Sequence, residues 1–271
     1  MLATNPFAAL GGVVSPSFMQ AYVLLMLLAV VAGTLFDVVH KGSAKYFFEN
    51  FRNRKGRPVG GGAVVSIAVR TAVVDVLASG EFCNPRRRVA HLLGMYGFVL
   101  YVVTTVIMVF RPETAGLTAK LWWLGAAMIC VGGYWFWFFI RVDVAAEGHS
   151  PLRVMKADLF ILSLLASATL AILWAWAQAA GSPGAGTMFW LYLLATTVLF
   201  CGVPWSKFAH MFFKPAAAFE KRVCQADGTT ENLPTQTRDD PEQQKRHSME
   251  LLRDAPMEMG LGIKRETPRH Y

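Results

Sequence analysis

An all-α, polytopic membrane helical bundle is the fold class this sequence predicts. Three observations carry it. Hydrophobic residues are 54% of the 271 and charged residues only 16%, where a soluble domain runs near about 25% charged. The apolar residues gather in five stretches of membrane-spanning length. The basic residues collect on alternate connections between those stretches. The mean hydropathy of +0.38 argues against both a soluble enzyme and a disordered chain, and the length suits one bundle plus a tail.

A helix needs roughly 20 apolar residues to cross a ~30 Å hydrocarbon core, and in lipid each span must be helical so that every backbone amide is satisfied internally. The first span is predicted over 18–40. It begins late, has no basic segment before it and is long enough to cross, so no cleavable signal peptide is expected. The second is predicted over 89–110, on a helix that starts below the bilayer, where Asn84 reads as an N-cap and Pro85 as the first helical residue. The third is 121–140 and the fourth 159–180. The fifth starts at Met188, stays apolar to Val203 and continues with a more polar face to about 213; Pro204 either kinks it or marks where it leaves the hydrocarbon. Residues 63–79 are semi-apolar but carry Arg70 and Asp75 and follow the glycine run 60–62. They read as an interfacial helix, with a re-entrant sixth segment as the alternative.

The charges give the orientation. Segment 1–17 has no charged side chain, whereas 41–88 carries ten Lys and Arg. Such cations belong on the cytoplasmic side. The prediction is five transmembrane helices, N-terminus outside and C-terminus cytoplasmic: a periplasmic segment 1–17, a membrane domain 18–213 and a polar cytoplasmic tail 214–271. The tail holds ten basic and ten acidic residues, so the whole excess of +8 lies in the membrane part. Nucleic acid is not an expected partner; the lipid bilayer is. The tail is too polar to fold alone and reads equally as a solvated extension or as a segment that docks to a partner, with a short helix over 242–253 compatible with its sequence. The cysteines form no CxxC, so neither an iron–sulfur cluster nor structural zinc is expected from this chain.

Six histidines are present. His247 and His270 lie in the polar tail and His149 in a connection. His40, His91 and His210 sit near cytoplasmic helix ends. His91 follows Pro85 by six residues and His210 follows Pro204 by six. On antiparallel helices this puts both at one depth, about 9 Å along from each proline. An imidazole in an apolar bundle wants a specific partner, and two on facing helices suit the axial ligands of a b-type haem. Interfacial hydrogen bonding or a quinone contact is the competing assignment. Gly94 and Gly97, at three-residue steps beyond His91, leave room for a flat macrocycle or serve helix packing. Arg86, Arg87, Arg88 and Lys207 are placed to meet haem propionates, although the positive-inside pattern alone accounts for them equally.

Two runs carry a family resemblance: Arg86-Arg87-Arg88-Val89-Ala90-His91-Leu92-Leu93, with Tyr96-Gly97-Phe98 and Thr104-Thr105 after it, and Pro204-Trp205-Ser206-Lys207-Phe208-Ala209-His210-Met211-Phe212-Phe213. They resemble the second and last helices of the membrane cytochromes b of the nitrate reductase gamma-subunit type. Within that group the chain is most similar to the membrane anchor subunits of dissimilatory adenylylsulfate reductases. The resemblance covers about 18–215. It implies haem ligation by His91 and His210. Members with two haems carry a further histidine ten residues along the second helix and another eighteen residues before the last one. Those positions are Tyr101 and Tyr192 here, so the resemblance implies one haem b, near the cytoplasmic face.

Taken together, the spans, the charges and the resemblance predict an inner-membrane anchor and electron-transfer subunit. It links a cytoplasmic flavin or iron–sulfur redox enzyme, by resemblance adenylylsulfate reductase, to a membrane quinone. His40, Asp37, Arg70 and Asp75 lie near a suitable depth for the quinone. The alternative is a haem-free anchor that only recruits the soluble enzyme. A small transporter is disfavoured, because no intramembrane acid cluster or inverted repeat is visible. No phosphate loop, dinucleotide fingerprint or nucleophile elbow is present, so no catalytic residue is assigned.

Overall fold

The computed structural model describes residues 2–40, 45, 49, 52–53, 56–80, 82–114, 116–140, 152–206, 210–229, 240, 242 and 245. Among them there is no strand, and the chain is all-α. Helix α1 spans Pro16–Leu35, capped by Ser15, whose Oγ accepts from the Phe18 amide at 3.2 Å. A wider π turn, Phe36–His40, prolongs it. Helix α2 is Gly61–Arg70, continued by a π turn over Thr71–Leu77. Helix α3, Pro85–Phe110, opens as the sequence predicts: Asn84 Oδ1 accepts from the amides of Arg86 (3.0 Å) and Arg87 (3.3 Å). Helix α4 is Leu117–Trp135, with a π turn to Ile140. Helices α5 (Leu159–Ala179), α6 (Ala185–Cys201) and α7 (His210–Asp227) complete the described fold.

Four helical runs are long and apolar enough to cross a membrane: Pro16–His40, Pro85–Phe110, Leu117–Ile140 and Lys156–Ala179. The outward faces agree. Leu28, Val31, Val131 and Leu194 are each more than half exposed, and an apolar exterior of this extent belongs in lipid rather than water. This is a membrane protein. The fifth apolar helix, α6, has 17 residues and reaches only about 26 Å. The sequence pattern carries this helix on to 213, and the structure interrupts it. After Cys201 the chain makes a 3₁₀ turn, Val203–Trp205, and Ser206 is extended. The break falls where Pro204 lacks an amide hydrogen and its ring crowds the preceding turn. A separate helix, α7, then begins at His210.

The apolar helices pack in chain order, α3 on α4, α4 on α5, α5 on α6, with α1 closing the ring against α6 and α3. The α3–α4 seam is the tightest. A Cβ on Gly97 would lie 2.8 Å from Met128 Cβ, one on Gly125 only 2.7 Å from the Tyr101 amide nitrogen, and one on Gly132 2.7 Å from Ala90 O. Gly97 is therefore a helix-packing residue, the second of the two roles its spacing allows. One end of the ring is plugged by the N-terminal segment. Phe7 and Leu10 are buried, and the Phe7 ring lies 6.0 Å from Trp122 and 5.1 Å from Trp174. Asn5 Nδ2 donates to Met108 O at 2.9 Å and Gln178 Nε2 donates to Pro6 O at 2.6 Å.

Candidate functional site

The site grows from the junction between α2 and α3. The turn over 77–80 is strapped to α3 by three side chains. Arg88 Nε donates to Ala78 O at 2.8 Å, Tyr96 Oη donates to Leu77 O at 2.7 Å, and His91 Nδ1 pairs with Ser79 Oγ at 2.9 Å. Ser79 is fully buried and has φ +49°, the one positive φ at a non-glycine position among the described residues. That left-handed conformation costs an L-residue about 1–2 kcal/mol.

His91 is half-buried. Its ring lies 4.8 Å from that of Phe82. Two cations share that aromatic surface: the Arg87 guanidinium is 5.8 Å from the Phe82 ring and 5.9 Å from Phe136, and Lys214 Nζ is 5.4 Å from Phe82. Lys214 belongs to α7, whose backbone packs against α2 and its π turn. One turn along α3, a Cβ on Gly94 would meet nothing within 4 Å. Among the described residues that side of Gly94 is uncovered, while its amide nitrogen lies 3.2 Å from where a Cβ on Gly132 would stand.

The second half of the predicted pair is placed only by its backbone. His210 is the first residue of α7, not a residue of the apolar helix α6. Lys207, His149, His247 and His270 lie outside the described residues, as does the helix expected over 242–253 apart from Glu242 and Lys245. His40 is exposed and stacks on Phe36 at 4.8 Å. Tyr101 and Tyr192 are buried. Tyr192 stacks on Trp174 at 5.6 Å and Tyr101 lies 5.6 Å from Trp122, so both rings are packing residues. With Tyr22 and Thr196 they line an apolar cleft between α1, α3 and α6.

Sequence reasoning missed the partner of Asp75. Arg222 of α7 grips it with two hydrogen bonds, Nε to Oδ2 at 2.5 Å and Nη2 to Oδ1 at 2.7 Å. Those hydrogen bonds raise the Arg222 pKa above that of an ordinary arginine. Ser79 and Phe82 were missed too. Only the Ser79-Gly80 dipeptide hinted at a turn there.

No known family model matches the chain, and no curated protein or solved structure matches it either.

The described residues fit one side of a b-type haem. A ligating histidine has its other ring nitrogen held by a hydrogen-bond partner, and His91 has one in Ser79. The face beside it at Gly94 is open, and cations stand near. Among the described residues no three His, Cys, Asp or Glu side chains gather to hold a metal ion. A porphyrin supplies four of its iron's ligands and asks only two from the chain.

Proposed function

We propose that the protein is a membrane anchor and electron-transfer subunit that holds one haem b between His91 and His210, close to the cytoplasmic face. The observation that supports this best is His91 itself: half-buried at the start of a spanning helix, with Nδ1 engaged and an open helix face at Gly94. That Lys214, four residues after His210, has its ammonium 5.4 Å from the Phe82 ring, which also lies against His91, supports the pairing. In this reading α6 and the chain after it form a fifth crossing, the N-terminus lies outside and the C-terminal tail in the cytoplasm. When bound, the haem accepts and donates single electrons. The chain's own residues orient its ligands, balance propionate charge through Arg87 and Lys207, and keep the site apolar. The basic stretch 41–88 and the tail recruit a soluble flavin or iron–sulfur enzyme, with adenylylsulfate reductase suggested by the family resemblance, and a membrane quinone exchanges electrons with the haem.

The test is a reduced-minus-oxidised spectrum of protein purified after mild detergent extraction from haem-replete cells, together with identification of what co-purifies. The expected result is a b-type α band, lost in both His91→Ala and His210→Ala, and a redox flavoprotein in the preparation. A colourless preparation that still carries the flavoprotein would leave a haem-free anchor.

A further inference from the structure

We infer that α2 and its π turn form a re-entrant membrane segment: residues 61–77 dip into the leaflet where α3 begins, the chain turns back at 78–80, and Val65, Val69, Val73 and Leu77 lie against lipid acyl chains. This needs neither the haem nor a particular side of the membrane; in the proposed orientation the leaflet is the cytoplasmic one. The depth is read from α3. Counted back from Phe110, which Arg111 follows, the roughly 20 residues that a crossing requires begin at His91. The turn after α2 is joined to α3 around that level, by Arg88 to Ala78 O, by His91 to Ser79 Oγ and by Tyr96 to Leu77 O. Tyr96 stands five residues beyond His91, ~8 Å along the axis. Helix side chains lean toward the N-terminus, which sets Leu77 at or just inside the hydrocarbon boundary. The turn is thus deeper than Pro85, and the chain climbs back out to start α3.

Two further observations fit that depth. In hydrocarbon every backbone polar group needs a partner within the protein, and the reversal supplies them. Four consecutive carbonyls accept: Val76 O from the Ser79 amide (3.4 Å), Leu77 O from Tyr96, Ala78 O from Arg88, and Ser79 O from the Phe82 amide (3.2 Å). A helix end in water needs no such set, because water completes it. The surface agrees. Val65, Val69, Val73 and Leu77 recur at four-residue steps and are each more than half exposed, which makes one apolar stripe. Through the Tyr96–Leu77 bond the stripe meets the exposed row Tyr96, Val99 and Val103 of α3, so one apolar surface runs from α2 onto a spanning helix. α7 packs on the other side, where Arg222 pairs with Asp75, the one acid of the run. Arg70, the other charged residue of the run, is exposed, and its long stem carries the guanidinium to headgroup phosphates.

The test uses full-length protein in vesicles of phosphatidylcholine and phosphatidylglycerol, with acyl-chain photolabelling and hydroxyl-radical footprinting on paired samples. With a diazirine on the lipid chain, adducts are expected within 65–77, as on the outward row of α3 at Val99 and Val103. Val73 and Leu77 are expected to escape the oxidation that reaches the exposed side of α7. Oxidation of those two residues without adducts would place the stripe in water and overturn the inference. Protection from both reagents would overturn it as well, by giving the face to a soluble partner or a second copy of the chain. Tyr96→Phe is an independent probe, because it takes the donor from Leu77 O where lipid offers no replacement. Deuterium uptake by the amides of 77–80 is expected to rise several-fold in that variant. Unchanged uptake would mean that water already serves the turn, which also defeats the inference.

Discussion

Single glycines on α3 do opposite jobs within one turn of each other. Gly94 faces open space and Gly97 faces the backbone of α4. Their sequence contexts are alike, and three-residue spacing suggests one shared role. The consequence can be measured. Gly125→Ala, whose Cβ would press on the Tyr101 amide, is expected to cost about 1–3 kcal/mol and to lower the melting temperature in detergent. In haem-free protein Gly94→Ala meets no described atom and is expected to leave the melting temperature unchanged or raise it, since alanine is the better helix former by up to about 1 kcal/mol. Equal destabilisation by the two variants would mean that the α3–α4 seam is not as close as described. The same contrast separates the tyrosines from the histidines. Tyr101 and Tyr192 are consumed by packing on Trp122 and Trp174, while His91 is held by a polar partner at one nitrogen.

Helices α2 and α7 show what an amphipathic element gains from a partner. The run 61–77 contains Arg70 and Asp75 among apolar residues, and from sequence that pattern fits a surface helix. In the structure it packs against α7, with Asp75 and Arg222 joined in a two-point ion pair between side chains only 10% and 22% exposed. Hydrogen bonds to charged groups contribute about 1.5–3 kcal/mol when shielded. Arg222→Gln is accordingly expected to loosen α7, raising amide hydrogen exchange over 210–227 several-fold while α3 to α5 keep their protection. Unchanged exchange would mean that apolar contacts, led by the buried Val223, hold α7 by themselves. α2 runs directly into the 77–80 turn that contacts His91, so the α2–α7 pairing and the candidate site are one continuous piece of structure. The same elements explain what was legible. The start of α3 could be read because Asn84 and Pro85 are local signals. The end of α6 could not be placed, because Pro204 permits a kink or a break equally, and only the tertiary setting selects the break.

At the scale of the whole molecule the bundle is apolar outside and more finely fitted inside, with glycine at the closest seam and tryptophan at the plugged end. The N-terminal segment helps to build that end, burying Phe7 and Leu10 and engaging Asn5 with α3. The proposed orientation has a direct check in Cys83, which is exposed beside the start of α3. In a variant keeping only that cysteine, a membrane-impermeant maleimide is expected to label inverted vesicles and not right-side-out ones. The reverse pattern would invert the proposed topology, moving Arg86, Arg87 and Arg88 outside.

The helical class, the membrane-spanning character and the bounds of most spans are set by the sequence by itself, because they depend on length, hydropathy and local capping, all of which are properties of contiguous residues. The histidine at position 91 was visible for the same reason: it is a polar group in an apolar run. What only the tertiary structure decided is which groups meet. Ser79 reaches His91 across a turn, Arg222 reaches Asp75 over 147 residues of chain, and Gly97 differs from Gly94 solely by which neighbour each faces. Contacts of that kind are fixed by how helices pack, and no local pattern encodes the direction in which a neighbouring helix will lie.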